Sequence, residues 1–561
     1  MADADLGFLK IEAVNFGNAI LDTNQLSVVR GGSYALKQII IEIEKILVGA
    51  RLNGFKAVTV GSSTGVFCCA PDSLENLRKI VNDFLASQVL INDTSFCPNE
   101  LFTFVVDDVI SADYLEAKER LFALGRFKQA SRLSQALPDF SADAKGACTL
   151  NGLLGADTTN KHIKAAIEGK VNRGVDRRYR IGRKVRTGIY KDEQSSLCAN
   201  IQDKGGKANE STESQESIAH FKFPSDLETL AGAHPKMAIS GKIAVIYADG
   251  NAFGKMQRQL IAGAKNKIEK QQKFDLELRL DRARYITSLV NFLAKKGAVI
   301  DEDGEATVQL ETLLWGGDEM TLVVPAWVGM ATLHHFFSHQ INICGQTLTS
   351  SVGIVFCSHK TPIRKAEQAA RELAEAIKEQ EGGRDRNYFD YMVLESIDYP
   401  TEDISDFWIK QYGKEIAEQR QPLTFALDAD ENQEHSPFTV TQQASLAAHL
   451  ETLPRSGVYK LVEKALHYGA TQLSEPKVKT KSEALSIKGT AEELQLLKRR
   501  LLEAGGEPLA ESVQALSKLF LMKKNESSEA RELTTQDTLF WLHMLELYDY
   551  LAPETPSGKG E

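Results

Sequence analysis

The strongest constraint on the fold is an order of apolar segments that occurs twice in the chain. Residues 8–14 (FLKIEAV), 55–61 (FKAVTVG), 65–70 (GVFCCA) and 102–110 (FTFVVDDVI) read as short strands rich in β-branched and aromatic residues. Amphipathic stretches at 33–48 and 73–86 fall between them and a third, 112–133, follows. The order is βαββαβ. It returns later with strands at 241–249 (GKIAVIYAD), 306–315, 320–326, 346–357 and 388–395 and helical stretches at 275–295, 331–343 and 362–378. Two copies of one α/β unit are expected, although they share little residue identity.

Between the copies the composition shifts. Residues 161–191 hold eleven Lys/Arg against two acidic residues, with Tyr179 and Tyr190 interleaved, and residues 199–219 are polar without periodicity, as in a linker. Beyond about residue 396 the pattern is helical, at 440–453, 458–470, 491–504, 510–522 and 535–551. The expected fold class is α+β: two ferredoxin-like (βαββαβ) domains at 1–145 and 236–398, a basic insert with linker at 146–235, an α-helical C-terminal domain at 399–552 and a disordered tail at 553–561.

With 561 residues, 43% hydrophobic and 25% charged, the chain is long enough for several cored domains and is neither collagen-like nor disordered throughout. A net charge of −10 argues against a uniformly basic surface, and leaves a local basic patch open. The opening MADADLGFLKIEAV has no basic n-region or apolar h-region, and no 18-residue uncharged apolar run follows, so a cytoplasmic protein without membrane association is expected. Seven cysteines without a C-x-x-C pair read as reduced core thiols.

The residues with chemical potential lie in two segments of the second unit. In 243–255 (IAVIYADGNAFGK) an apolar strand ends at Asp249 and turns into a helix; in 313–324 (LLWGGDEMTLVV) a hairpin turn holds Gly316, Gly317, Asp318 and Glu319. The glycines are expected to supply a tight turn and room for a ligand. Neighbouring strands lie about 4.8 Å apart, so Asp249 and Asp318 can meet at one sheet edge. Carboxylates so placed suit a hard divalent cation, Mg²⁺ or Mn²⁺, and the chemistry is phosphoryl transfer. Taken alone, G-G-D-E also reads as an ordinary turn. His334, His335 and His339 lack a third ligand pattern and read as a helix face.

These residues bring a family into view. Segment 241–395 resembles the catalytic palm of the nucleotidyl-cyclase and polymerase superfamily, which contains GGDEF diguanylate cyclases and the large subunit of type III CRISPR effector complexes. YADGNAFGKM, LLWGGDEM and TSSVGIVFCSHKTPIRKAEQAARELAEAIKE favour the CRISPR branch. DTNQLSVVRGGSYAL is similar to that family's degenerate first palm, and ETLPRSGVYKLVEKAL and DTLFWLHMLELYDYL to its helical C-terminal domain. The resemblance implies that Asp249, Asp318 and Glu319 hold metal and are catalytic, with Glu319 in place of an aspartate. It implies nucleotide contacts from Asn251, Phe253, Gly316 and Gly317, and triphosphate contacts from Lys378 with Arg384 or Arg386, for which a solvated helix end is an equal reading. The first palm's turn, Gly61–Gly65, has no acid, so its expected share is a second nucleotide pocket, with Arg30, Gly31, Gly32 and Ser33 at a helix N-terminus; a plain helix start is an equal reading.

The family often carries an HD nuclease domain and a four-cysteine zinc module. No His-Asp dipeptide is present and only Cys148 and Cys198 stand in the corresponding region, so neither DNA cleavage nor zinc is expected. Arg177, Arg178, Arg180, Arg183, Lys184 and Arg186 are the expected contact to guide or target RNA, with a solvated hairpin or an intramolecular partner as alternatives. The implied function is a Mg²⁺-dependent enzyme that converts ATP to a cyclic oligoadenylate-type messenger in antiphage defence, with other effector subunits docking on the C-terminal helices. The alternative is a non-catalytic scaffold subunit that binds RNA and small helical partners. A GTP-using diguanylate cyclase fits less well, because the doubled palm and C-terminal helices have no role there.

Overall fold

The computed structural model describes residues 5–131, 146–163, 165–203, 217–302, 304–395, 403–420, 423–424, 455–473 and 535–551. The fold is mixed α+β, and both expected βαββαβ units are present. In the first, strands run in the order Lys56–Val60, Thr64–Cys69, Leu6–Val14, Thr103–Ser111, all antiparallel. In the second, Glu311–Trp315, Glu319–Pro325, Lys242–Gly250 and Ser350–Ser358 repeat that order, and Tyr388–Val393 joins Ser350–Ser358 in parallel.

The central strand Lys242–Gly250 is apolar on both faces because both are covered. Ala244, Ile246 and Ala248 face one core with Tyr285, Leu289 and Leu333, from helices Lys267–Lys295 and Ala326–Ser338. Ile243, Val245 and Tyr247 face the other, which holds Leu373 of helix Ile363–Glu379 and runs on into Leu9, Ile39 and Phe67 of the first unit. Period-two alternation along one strand thus faces two cores, and the second core joins the units.

Several element bounds differ from expectation. The first long helix spans Leu26–Gly49 rather than 33–48. Gly31 and Gly32, expected at a helix N-terminus, lie inside the helix where a second helix, Arg173–Lys184, crosses it. A Cβ on Gly31 would lie 1.8 Å from the Arg178 carbonyl oxygen, and one on Gly182 would lie 1.8 Å from that of Ser27. The basic stretch is therefore helical rather than a hairpin. Helix Lys267–Lys295 begins eight residues earlier than the expected 275, because Asn266 caps it through Glu269 N. Helix Gly188–Asp203 enters the expected linker 199–219, of which 204–216 lie outside the described residues. Of the C-terminal helices, Arg455–Leu473 and Thr535–Leu551 pack on the second unit's sheet core, and the helices expected at 440–453, 491–504 and 510–522 lie outside the described residues. Among the described residues no helix is long and apolar enough to cross a membrane.

Candidate active site at the sheet edge

Asp249 is the penultimate residue of the central strand, and the register sets Glu319 directly opposite it on one side and Ser351 on the other. Facing residues of an antiparallel pair hold their Cβ atoms about 5 Å apart, so two carboxylates meet at one edge. Asp318 precedes Glu319 in the turn, where Gly316 N donates to Glu319 O at 3.0 Å and Gly250 N donates to Asp318 O at 3.2 Å. Gly250 makes this approach possible: a Cβ there would lie 2.9 Å from the Asp318 Cβ. Gly316 and Gly317 have no positive φ and a Cβ on either would meet only ordinary contacts, so the turn itself does not demand them.

Burial and the neighbouring Asp249 charge push Asp318 up to about 7, with Glu319 adding to the effect. Glu319 is also raised, by burial, while the Arg371 guanidinium pulls it back. This is an edge short of positive charge. Helix Ile363–Glu379 supplies two cations one heptad apart: Lys378 pairs with Asp249 and donates to Gly250 O at 3.4 Å, and Arg371 lies over the Tyr247 ring at 4.5 Å and 4.0 Å from Glu319 Oε2. Arg371 and Tyr247 were not singled out in the sequence; their signal is the i, i+7 spacing of Arg371 and Lys378 on one amphipathic helix.

Hard oxygen donors with a raised carboxyl pKa fit Mg²⁺ or Mn²⁺, the Lys378 ammonium being a stand-in cation on Asp249. Among the described residues no group of three His, Cys, Asp or Glu is close enough to hold a metal by itself. An ion held here would need further ligands such as phosphate oxygens and water.

Beside the edge, a cleft of about 530 Å³ opens between the two units. Gly317 and Phe253 line it from the second unit, and Gly61 and Ser62 from the acid-free turn of the first. Ser62 Oγ donates to the Trp315 carbonyl at 2.6 Å, so the two hairpin turns are tied together.

Four expectations are corrected. Arg30, Gly31, Gly32 and Ser33 are not a helix N-terminus: they lie beyond the first turn of Leu26–Gly49, and the first three are buried. Arg30 is held by Glu311, with Nε donating to Oε1 at 3.0 Å, and by the carbonyls of Gly182 and Pro224. Asn251 is only 5% exposed and its amide is fully engaged, donating to Thr349 Oγ1 and Arg386 O and accepting from Ser351 Oγ, so it fixes the loop rather than a nucleotide. Most of the expected RNA-contact set is held by the protein itself: Arg177 pairs with Glu100, Arg178 with Asp22 and Lys184 with Asp93 of the first unit, Arg180 pairs with Asp176 on its own helix, and Arg183 lies over Tyr179. Arg186 likewise acts on the protein, through the field it exerts at Glu311. Of the residues expected at the triphosphate, Lys378 is at the acids, whereas Arg384 is exposed and donates to the Lys378 carbonyl at 3.3 Å.

Residues 242–388 match the family model described as Cas10/Cmr2, second palm domain. Among solved structures, the chain is similar to a Csm1–Csm4 cassette in complex with cA4, at 13% identity and a TM-score of 0.45, over 98% of this chain and 70% of that one. It is also similar to Csm1 of T. onnurineus, at 13% identity and a TM-score of 0.39, over 88% and 69% of the two chains. No curated protein sequence matches.

Proposed function

From a chain whose residues 242–388 match the family model of the Cas10/Cmr2 second palm domain, we propose a divalent-metal-dependent nucleotidyltransferase that joins ATP into a cyclic oligoadenylate-type product with release of pyrophosphate. The observation that carries the reading is the register pair Asp249–Glu319 with Asp318 beside it, at the mouth of a cleft between two palms. Metal bound by these carboxylates would neutralise the triphosphate and lower the pKa of an attacking hydroxyl.

The chain's own residues do the rest. Gly316 and Gly317 leave room for base and ribose above the turn, and Phe253 walls the cleft. Asp249, Asp318 and Glu319 would hold the metal, and Lys378, now paired with Asp249, would be free to bind the triphosphate. The first palm's turn, without acids, positions the second nucleotide. Its 3′-oxygen attacks the α-phosphorus of the first, the bond to the β-phosphate oxygen breaks, the hydroxyl proton passes to solvent and pyrophosphate leaves. In this reading the enzyme works in CRISPR-type defence and meets other effector subunits through its C-terminal helices.

Purified protein incubated with ATP and Mg²⁺ or Mn²⁺, with and without RNA, should give oligoadenylate products by mass spectrometry, and Asp318→Ala should abolish them with the fold intact. No product from any nucleotide sinks the reading. A non-catalytic scaffold is the second reading, favoured by the lack of a three-ligand metal group among the described residues.

A further inference from the structure

Arg282 sits on helix Lys267–Lys295, behind the acidic turn, and lines the inter-palm cleft beside Gly317. Its guanidinium lies 4.6 Å from the centre of the Trp315 ring, which fixes the plane of the fork. Its Nε is buried with no hydrogen-bond partner, and among the described residues no carboxylate forms an ion pair with it. Glu193 and Asp318 lie near enough to favour its charge, but Glu193 is taken by Lys37 at 2.6 Å. Burial accordingly lowers the Arg282 pKa. One turn earlier, Arg279 lines the same cleft.

A guanidinium whose buried Nε has no partner is costly unless the cleft's occupant supplies one. The planar fork suits phosphate, which it can hold through two parallel hydrogen bonds. Carboxylates are already present at Glu44, Asp192, Glu193 and Asp275 in the same wall. They disfavour a free anion elsewhere in the cleft and confine its charge to the Arg279–Arg282 stripe. Lys378 reaches the acids from a different helix, so the two cationic groups address different phosphates.

We propose that Arg282, assisted by Arg279, binds a phosphate of the second, hydroxyl-donating nucleotide in the inter-palm cleft. This deepens the nucleotidyltransferase reading and rests on it for the identity of the ligand, but the anion site itself can be tested without turnover.

The probe is inorganic pyrophosphate, titrated calorimetrically into the full chain without metal, alongside Arg282→Gln and Arg282→Lys. Gln keeps a planar group on Trp315, and thermal melts check that each variant folds. Arg282→Gln should weaken pyrophosphate at least tenfold and flatten the salt dependence of binding, and Arg282→Lys should restore part of the affinity. In turnover with ATP, the Gln variant should raise KM far more than it lowers kcat. Unchanged pyrophosphate affinity in a folded Gln variant overturns the proposal, and so does a wild type that binds no pyrophosphate. Pyrophosphate binding that depends on Arg282 in a protein that makes no product leaves the anion site standing and removes only the catalytic reading.

Discussion

Lys378 and Asp249 form an ion pair across the end of the central strand, with side chains only 9% and 18% exposed. The ammonium sits where a carboxylate edge of this kind takes a divalent ion. In the proposed function, metal uptake and release of the lysine toward a triphosphate would be two halves of one exchange.

Removing that ammonium frees Asp249. Lys378→Met should bind Mn²⁺ several-fold tighter than wild type in the absence of nucleotide, by electron paramagnetic resonance titration, while a non-hydrolysable ATP analogue weakens about tenfold. Equal Mn²⁺ affinity in the two proteins would show that lysine and metal do not compete.

The raised Asp318 carboxyl sets a pH dependence. Metal needs the carboxylate, so Mn²⁺ affinity should climb about tenfold per pH unit up to about 7 and level off above it. Stability runs the other way. Because the folded pKa lies above the unfolded value, the folded state binds more protons between about pH 4 and 7, and stability falls as pH rises through that window. Asp318→Asn should therefore melt higher than wild type at pH 8 and lose most of that advantage near pH 4.

Arg30 and Glu311 are 4% and 3% exposed and join the first palm's helix to the second palm's edge strand. Glu311→Gln strands a buried guanidinium and should cost about 3–5 kcal/mol in denaturant unfolding. The double change Arg30→Met with Glu311→Leu removes both charges and should recover most of the loss. A double variant as unstable as the single one would mean that packing, rather than charge, is what fails.

The helix crossing at Gly31 and Gly182 leaves no room for a methyl group. Gly31→Ala places a Cβ 1.8 Å from a carbonyl oxygen and should cost about 3 kcal/mol or more as the helices separate, whereas Gly254→Ala, with nothing within 4 Å, should be near neutral. Thermal melts of the two variants make the comparison.

The parts of this molecule that could be read from its sequence are those governed by local periodicity. Strand alternation gave both βαββαβ orders, and the run ending in Asp249 together with the G-G-D-E turn located the acidic edge. What escaped depends on partners far along the chain. Gly31 and Gly32 look like a helix start until another helix lies across them, and Arg30 looks like a phosphate ligand until Glu311, 281 residues later, is seen to claim it. The basic residues of 173–186 carry a nucleic-acid signature in one dimension, but in three dimensions Arg177, Arg178 and Lys184 meet the first palm's acids. Arg282 and Trp315 meet only through tertiary packing, and nothing in their spacing announces it.

The hydrogen bond from Ser62 to the Trp315 carbonyl gives the acid-free turn a metrological task. A phosphodiester spans a fixed length, so two nucleotides can be joined only if their supports keep a constant separation. A repelling pair of acidic turns would push those supports apart. A hydroxyl clasping a backbone oxygen holds them like the jaws of a calliper, and under the proposed function the acid-free half would be the gauge for the acidic half.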